Sequence, residues 1–260
     1  MCLMSFQWNI HPDYPLILVS NREEAYGRPT SRLHFWKDHP QLIAGRDLKA
    51  MGTWMGMSTN GRIASLTNDM FSSVEHVEPT TSRGNLVKDF LLNESPPLFY
   101  GVNLKDSRKQ FRGYQLLFGD LSQLFVYQNA TGLMKRLKAG THSISNALSF
   151  DLLERNTRGK ALLERYIEDN PTSLNVEELA SLFSDAHPAE DVSYLTSELK
   201  ISEEEAKKYS SVFIEGEEFG TVSTSVILVD KHGHTTFLER KYNKKNRYYD
   251  TQYEFDISQK

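Results

Sequence analysis

The 260-residue chain is 39% hydrophobic and 25% charged, with a net charge of −4 and a pI near 6.1. Those values suit a globular protein able to bury a full-sized core, and they give no electrostatic footprint for a nucleic-acid partner. No stretch approaches the roughly 20 apolar residues of a membrane helix, no secretory signal opens the chain, and the single cysteine, Cys2, excludes an internal disulfide; the expectation is a cytoplasmic protein that is not integral to a membrane.

In chain order, MCLMSFQWN and YPLILVSN read as two strands joined by the turn-forming IHPD, and the second runs straight into SNREE. TWMGMSTNGRIASLTN holds two more strands, joined at Asn60-Gly61, a dipeptide that favours tight hairpins because both residues tolerate positive φ. SRGNLVKDFLL predicts a helix over Ser82–Leu92, with Leu86, Phe90 and Leu91 at helical spacing. GYQLLFGD and SQLFVYQNATGLMKRL return to strand, and this second meander ends at KAGTHSISN. NTRGKALLERYIED and VEELASLFSDA are amphipathic helices, and SEEEAKKY is a third, more polar one whose Glu203, Glu204 and Glu205 suit a solvated first turn. FGTVSTSVILVD and TTFLERKY close the chain as a hairpin around KHGH, predicted to join the sheet begun at the N-terminus. Strands, then helices, then strands, without strict βαβ alternation, predict an α+β fold with largely antiparallel sheets, read as one domain over residues 1–260.

Four segments carry candidate chemistry. Cys2 is either an apolar strand-edge residue or, with Met1 removed, a nucleophile whose base is its own α-amine, with a pKa of roughly 7.7–8.0. Asn21, Arg22, Glu23 and Glu24 form a polar cluster at a strand end, which is either a charged turn or a site on a rigid support. Arg46 and Asp47, flanked by glycines, suggest a turn over that site. Asn146 follows an alternating strand, where a side-chain amide can serve an oxyanion or simply a turn. The eight histidines show no metal-ligand spacing and no phosphate-binding glycine loop is present, so no metal and no required cofactor is expected.

Taken in order, MCL, NREE, RPT, HFW, AGRD, GTWMG, SLTN, SRG and SNAL resemble the transport and Golgi organisation 2 family, which is also named for an Asn-Arg-Asp-Glu motif. The resemblance is dense from Met1 to about Phe90 and holds in outline at GTVSTSVILVD. It implies the four-layer αββα sandwich of N-terminal nucleophile hydrolases, whose cysteine members cleave amide bonds in bile-salt conjugates and penicillins. On that analogy Cys2 is the nucleophile, Asn21, Arg22 and Glu24 position the amine and thiolate, and Asn68 and Asn146 supply oxyanion or orienting contacts; the register leaves Asn21 and Arg22 both in play. Two departures stand out: Glu23 replaces the family's Asp, and Val222 stands where relatives commonly carry an arginine. The family's association with haem trafficking and with acyl-coenzyme A and lipid homeostasis implies instead a carrier for a hydrophobic anionic ligand, haem or an acyl thioester as cargo, with Arg22, Arg28 and Arg46 at the mouth of a cleft.

Overall fold

Strand alternation decides which side chains enter the core, because successive residues of a strand point to opposite faces. The computed structural model describes residues 2–69, 81–146, 153–245 and 247–258. One sheet has the spatial order β10 (Gly140–Ile144), β1 (Cys2–Trp8), β2 (Leu16–Ala25), β11 (Phe219–Val229), β12 (His234–Tyr242) and β13 (Tyr248–Asp256). The other runs β3 (Thr30–Phe35), β4 (Leu42–Asp47), β5 (Met55–Ser58), β6 (Ile63–Asn68), β7 (Tyr114–Asp120), β8 (Gln123–Gln128) and β9 (Leu133–Arg136). Every neighbouring pair in both sheets is antiparallel.

The inner faces meet directly. Met4, Phe6, Leu18, Ile227 and Phe237 of the first sheet pack on Ile43, Met55, Met57, Leu117 and Val126 of the second. The outer faces are covered by helices: α3 (Glu154–Asp169) and α4 (Val176–Leu182) place Leu163 and Leu179 on Leu3, Ile17, Val19 and Val226. On the other side, α1 (Gly84–Leu92) and α2 (Pro97–Ser107) place Phe90 and Leu104 on Ala44, Ala64, Leu116 and Phe118. Two further helices, α5 (Ser193–Leu199) and α6 (Glu203–Ser210), form a satellite cluster through Leu195 and Ala206. The result is the α+β fold with antiparallel sheets that the element order predicts, in the four-layer αββα arrangement that the family resemblance implies.

Local chemistry explains most boundaries. Ser202 and Glu205 close a reciprocal capping box on α6, so the acid triplet does occupy a first turn, with Lys207 and Lys208 answering Glu203 and Glu204 one turn on. At Asn60-Gly61 the structure differs from the tight two-residue turn. Only Gly61 has positive φ, at 82°, and the hairpin closes through the Ser58 N–H on the Arg62 carbonyl, a longer loop that needs one left-handed residue rather than two. Strand β13 and helix α2 were not evident in the sequence: β13 is a polar-aromatic edge strand, and α2 lacks the one-sided apolar pattern that marks a surface helix.

Candidate active site

Cys2 opens β1 and lies directly across from Arg22 on β2. Both point toward the second sheet, on the same face as the core residue Met4. There a cavity of about 130 Å³ is lined by Cys2, Arg22, Glu24, Trp54, Asn68 and Arg83, with Arg28 and Asp47 also in its wall. Burial pushes the Cys2 thiol pKa up, and the nearby Glu23 charge adds to that; the Glu23 backbone amide, which hydrogen-bonds the sulfur, and the Arg22 guanidinium work in the opposite direction. Arg22 lies 4.0 Å over the Trp54 ring and 3.5 Å from Glu24 Oε2, held between an aromatic face and a carboxylate.

Asn146 holds the nucleophile's backbone. Its Oδ1 accepts the Cys2 N–H at 3.1 Å and its Nδ2 donates to the Asn68 main-chain carbonyl. The Asn146 carboxamide is thereby engaged in positioning, and Asn68, whose main-chain carbonyl it holds, is the asparagine that lines the cavity. Arg28 is clamped by Asp47 Oδ2, with Nη2 at 2.6 Å and Nε at 3.1 Å. This fork fixes the 28–47 crossing at the cavity wall.

Two sequence expectations are corrected by alternation. Asn21 does not face the cavity; it is fully buried on the helix side, donating to the carbonyls of Phe183 and Val212 at 2.9 Å each and accepting from Thr224 Oγ1 at 2.6 Å. Of the two register choices, Arg22 is therefore the one at the cavity. Arg46 also points away, stacking 4.0 Å over Trp36 and pairing with Asp38 on the outer face of the second sheet. Glu23 shares Asn21's direction: its carboxylate meets Arg155 Nη2 of α3 at 2.8 Å, with both side chains at most 1% exposed. Val222 occupies a bulge, since Thr221 pairs with Glu23 and Ser223 pairs with Arg22, leaving Val222 as the extra residue.

The structure adds residues that the sequence did not single out. Arg83 precedes α1, donates from Nη1 to the Gly113 carbonyl at 2.8 Å, and lines the cavity; burial lowers its pKa, and the nearby Cys2 opposes that shift. Its placement depends on two glycines in contact. A Cβ on Gly52 would come within 2.6 Å of the Gly84 carbonyl carbon, so the start of α1 presses against the 52–53 backbone, where Thr53 N–H reaches the Gly84 carbonyl at 3.2 Å. The tripeptide SRG at the helix start was the available signal. Lys241 stands opposite Ser223, in the cross-strand row that runs from Cys2 through Arg22, and donates to Thr30 Oγ1 at 2.7 Å. Among the described residues no three His, Cys, Asp or Glu side chains gather as a metal site requires.

The profile of the family described as "Transport and Golgi organisation 2" matches residues 1–244. A Bos taurus protein named Transport and Golgi organization protein 2 homolog is 31% identical, with 92% of each chain covered. The Mus musculus homolog is 29% identical over 99% of both chains. Among solved structures, a conjugated bile acid hydrolase from Clostridium perfringens superposes with a TM-score of 0.54 at 10% identity, covering 99% of this chain and 92% of that one. That likeness shows a shared N-terminal nucleophile hydrolase-type fold.

Proposed function

The chain belongs to the Transport and Golgi organisation 2 family, and from that premise we propose that it is a cysteine N-terminal nucleophile amidohydrolase or acyltransferase working through an acyl-Cys2 thioester. The observation that carries this reading is the placement of Cys2: its sulfur faces a polar cavity while its main-chain nitrogen is fixed by Asn146 Oδ1 at 3.1 Å. With Met1 removed, that nitrogen is an α-amine beside its own thiol. The amine takes the thiol proton, Sγ bonds to the substrate carbonyl carbon, and the carbonyl π pair moves onto oxygen. Asn68, which lines the cavity, is assigned as the donor to that oxyanion. Collapse breaks the C–N bond, and the leaving nitrogen receives the proton held by the α-ammonium. Water, or an acceptor amine or alcohol, then attacks the thioester with the amine again as base, releasing the acid or acyl product and restoring the thiol. Arg22 and Arg83, which both line the cavity with Cys2, favour the thiolate and supply cationic support in a chain with Val222 at the bulge.

A carrier role for haem or an acyl thioester keeps one observation in its favour. The cavity wall holds Arg22, Arg28 and Arg83 against Glu24 and Asp47, an excess of one cation once Glu23 is assigned to Arg155. At about 130 Å³ the cavity is smaller than the roughly 300–1,000 Å³ of sites that enclose a drug-sized ligand, so such cargo would seat only its anionic end.

The experiment is intact-mass spectrometry of untagged protein, alone and after incubation with a panel of N-acyl amides. Loss of Met1, a hydroxylamine-labile adduct and turnover abolished in Cys2→Ala support the enzyme. Retention of Met1, or turnover that survives Cys2→Ala, refutes it. Saturable haem or acyl-coenzyme A binding without any acyl adduct favours the carrier.

A further inference from the structure

Helix α2 is apolar on both sides. Pro97, Gly101 and Leu104 face inward, and Gly101 is held so close that a Cβ would overlap Met134 Sδ and Phe118. On the opposite side, Leu98, Phe99 and Val102 are 46%, 61% and 48% exposed. At about 100° per residue these three fall within an arc of roughly 100°, so they form one continuous surface. Among the described residues no other helix or strand carries three large exposed apolar side chains. Among the described residues, the packed face of α2 is formed by Pro97, Gly101 and Leu104 without them.

The surface has a charged continuation. Lys105 lies one turn beyond Val102 on the same stripe, and Arg108, Lys109 and Arg112 follow. Residues 97–112 hold these four cations against one acid, Asp106, a net charge of +3 within a chain of −4. Arg108 is anchored by its Nη2 on the Ala130 carbonyl, while Lys105, Lys109 and Arg112 are exposed. Exposed Arg136 of β9 is on the same strand face as Met134, which meets α2 at Gly101. The acid nearest the other end is Glu94, before the helix begins.

We propose that α2 docks this protein on an anionic phospholipid surface. Leu98, Phe99 and Val102 enter the headgroup–acyl boundary and the cations at the C-terminal end of the helix meet lipid phosphates. An apolar half followed by a cationic half on one helix face matches the two layers of such an interface, and Lys and Arg can keep their charge among the headgroups while their stems lie deeper. A protein groove would not require the concentration of positive charge. The attachment is peripheral, since no helix of the described residues is long and apolar enough to cross a membrane.

The test is flotation of the full chain with vesicles of phosphatidylcholine alone or with about 30 mol% phosphatidylserine, the anionic lipid that attracts basic segments. Binding is expected only on the anionic vesicles, and weakened by high salt. Leu98→Ser with Phe99→Ser, both exposed, is expected to lower the partition coefficient at least about tenfold. Lys105→Glu with Lys109→Glu is expected to lower it roughly thirtyfold or more. Phe99→Trp reports the site directly by a blue-shifted emission on vesicle addition. Circular dichroism confirms that each variant is folded. Equal partition on both vesicle types, no partition on either, or binding unchanged in both double variants overturns the proposal. Self-association abolished by Phe99→Ser, without vesicle binding, overturns it in favour of a contact between copies.

Discussion

The buried Arg155–Glu23 pair offers the sharpest check on how the site is held. Arg155 projects from α3 through the outer face of the first sheet and meets Glu23 at 2.8 Å with both side chains at most 1% exposed. Glu23 is adjacent to Arg22, and its backbone amide hydrogen-bonds the Cys2 sulfur, so the pair braces the strand behind the nucleophile. Arg155→Met keeps the packing volume but leaves a carboxylate in a dry environment. Removing one partner of a buried pair costs about 3–5 kcal/mol. For a chain of this size that lowers Tm by roughly 6–20 °C. Urea titration gives the free energy, and an unchanged m-value shows that the folded state is otherwise intact. Glu23→Met combined with Arg155→Met, which removes both charges, is expected to recover most of the loss. The single variant should also alkylate Cys2 with altered kinetics, because the Glu23 amide shifts with its carboxylate. A stability within about 1 kcal/mol of the parent, the range of an exposed pair, would refute the assignment of this contact as a buried brace.

Glu239 makes a pH-dependent contribution of opposite sign to an ordinary carboxylate. It is fully buried, accepts the Leu33 N–H at 2.8 Å, and burial raises its pKa despite Lys241, Arg22 and Arg32 nearby. Its protonated form therefore stabilises the fold fully below the unfolded carboxylate pKa of roughly 4.3, and that stability is lost as pH rises through the folded value. Glu239→Gln, which still accepts from Leu33, should have the higher Tm at pH 8, with the gap narrowing toward pH 5; a pH-independent difference contradicts this. Asn68→Ala should reduce kcat on an N-acyl amide by roughly 10²–10³ with little change in Tm, as loss of one oxyanion donor does; unchanged kcat removes Asn68 from that role. Arg83→Gln should move the midpoint of Cys2 alkylation by iodoacetamide to higher pH, with Arg83→Lys restoring part of the shift, because a neighbouring cation favours thiolate. An unmoved midpoint places Arg83 outside the nucleophile's field.

The amino-acid sequence by itself determined the fold class, the family and the identity of the nucleophile candidate, because these rest on order and local pattern: alternating strands, helical spacing in NLVKDFLL, and motifs from MCL to SNAL. It could not assign faces along SNREE. Residues 16–23 are buried without interruption, since the first sheet is covered on both sides, and an unbroken buried run carries no visible alternation. Whether Asn21 or Arg22 meets the cavity was settled only when helices covered one face and the second sheet covered the other. Arg46 misled for the same reason: strand parity, not proximity to Asp47, sends it to Trp36. The hydrogen bond from Cys2 to Asn146 spans 144 residues, and the brace from Glu23 to Arg155 spans 132. Contacts of that range leave no local trace in composition or spacing. The first exists because β10 pairs with β1 and carries Asn146, two residues beyond its end, to Cys2. The second exists because α3 packs on the outer face of the first sheet. The stacking of the two sheets then brings the end of β6 and the start of α1 to the same cavity as Cys2, and such packing is a property of the whole core rather than of any segment.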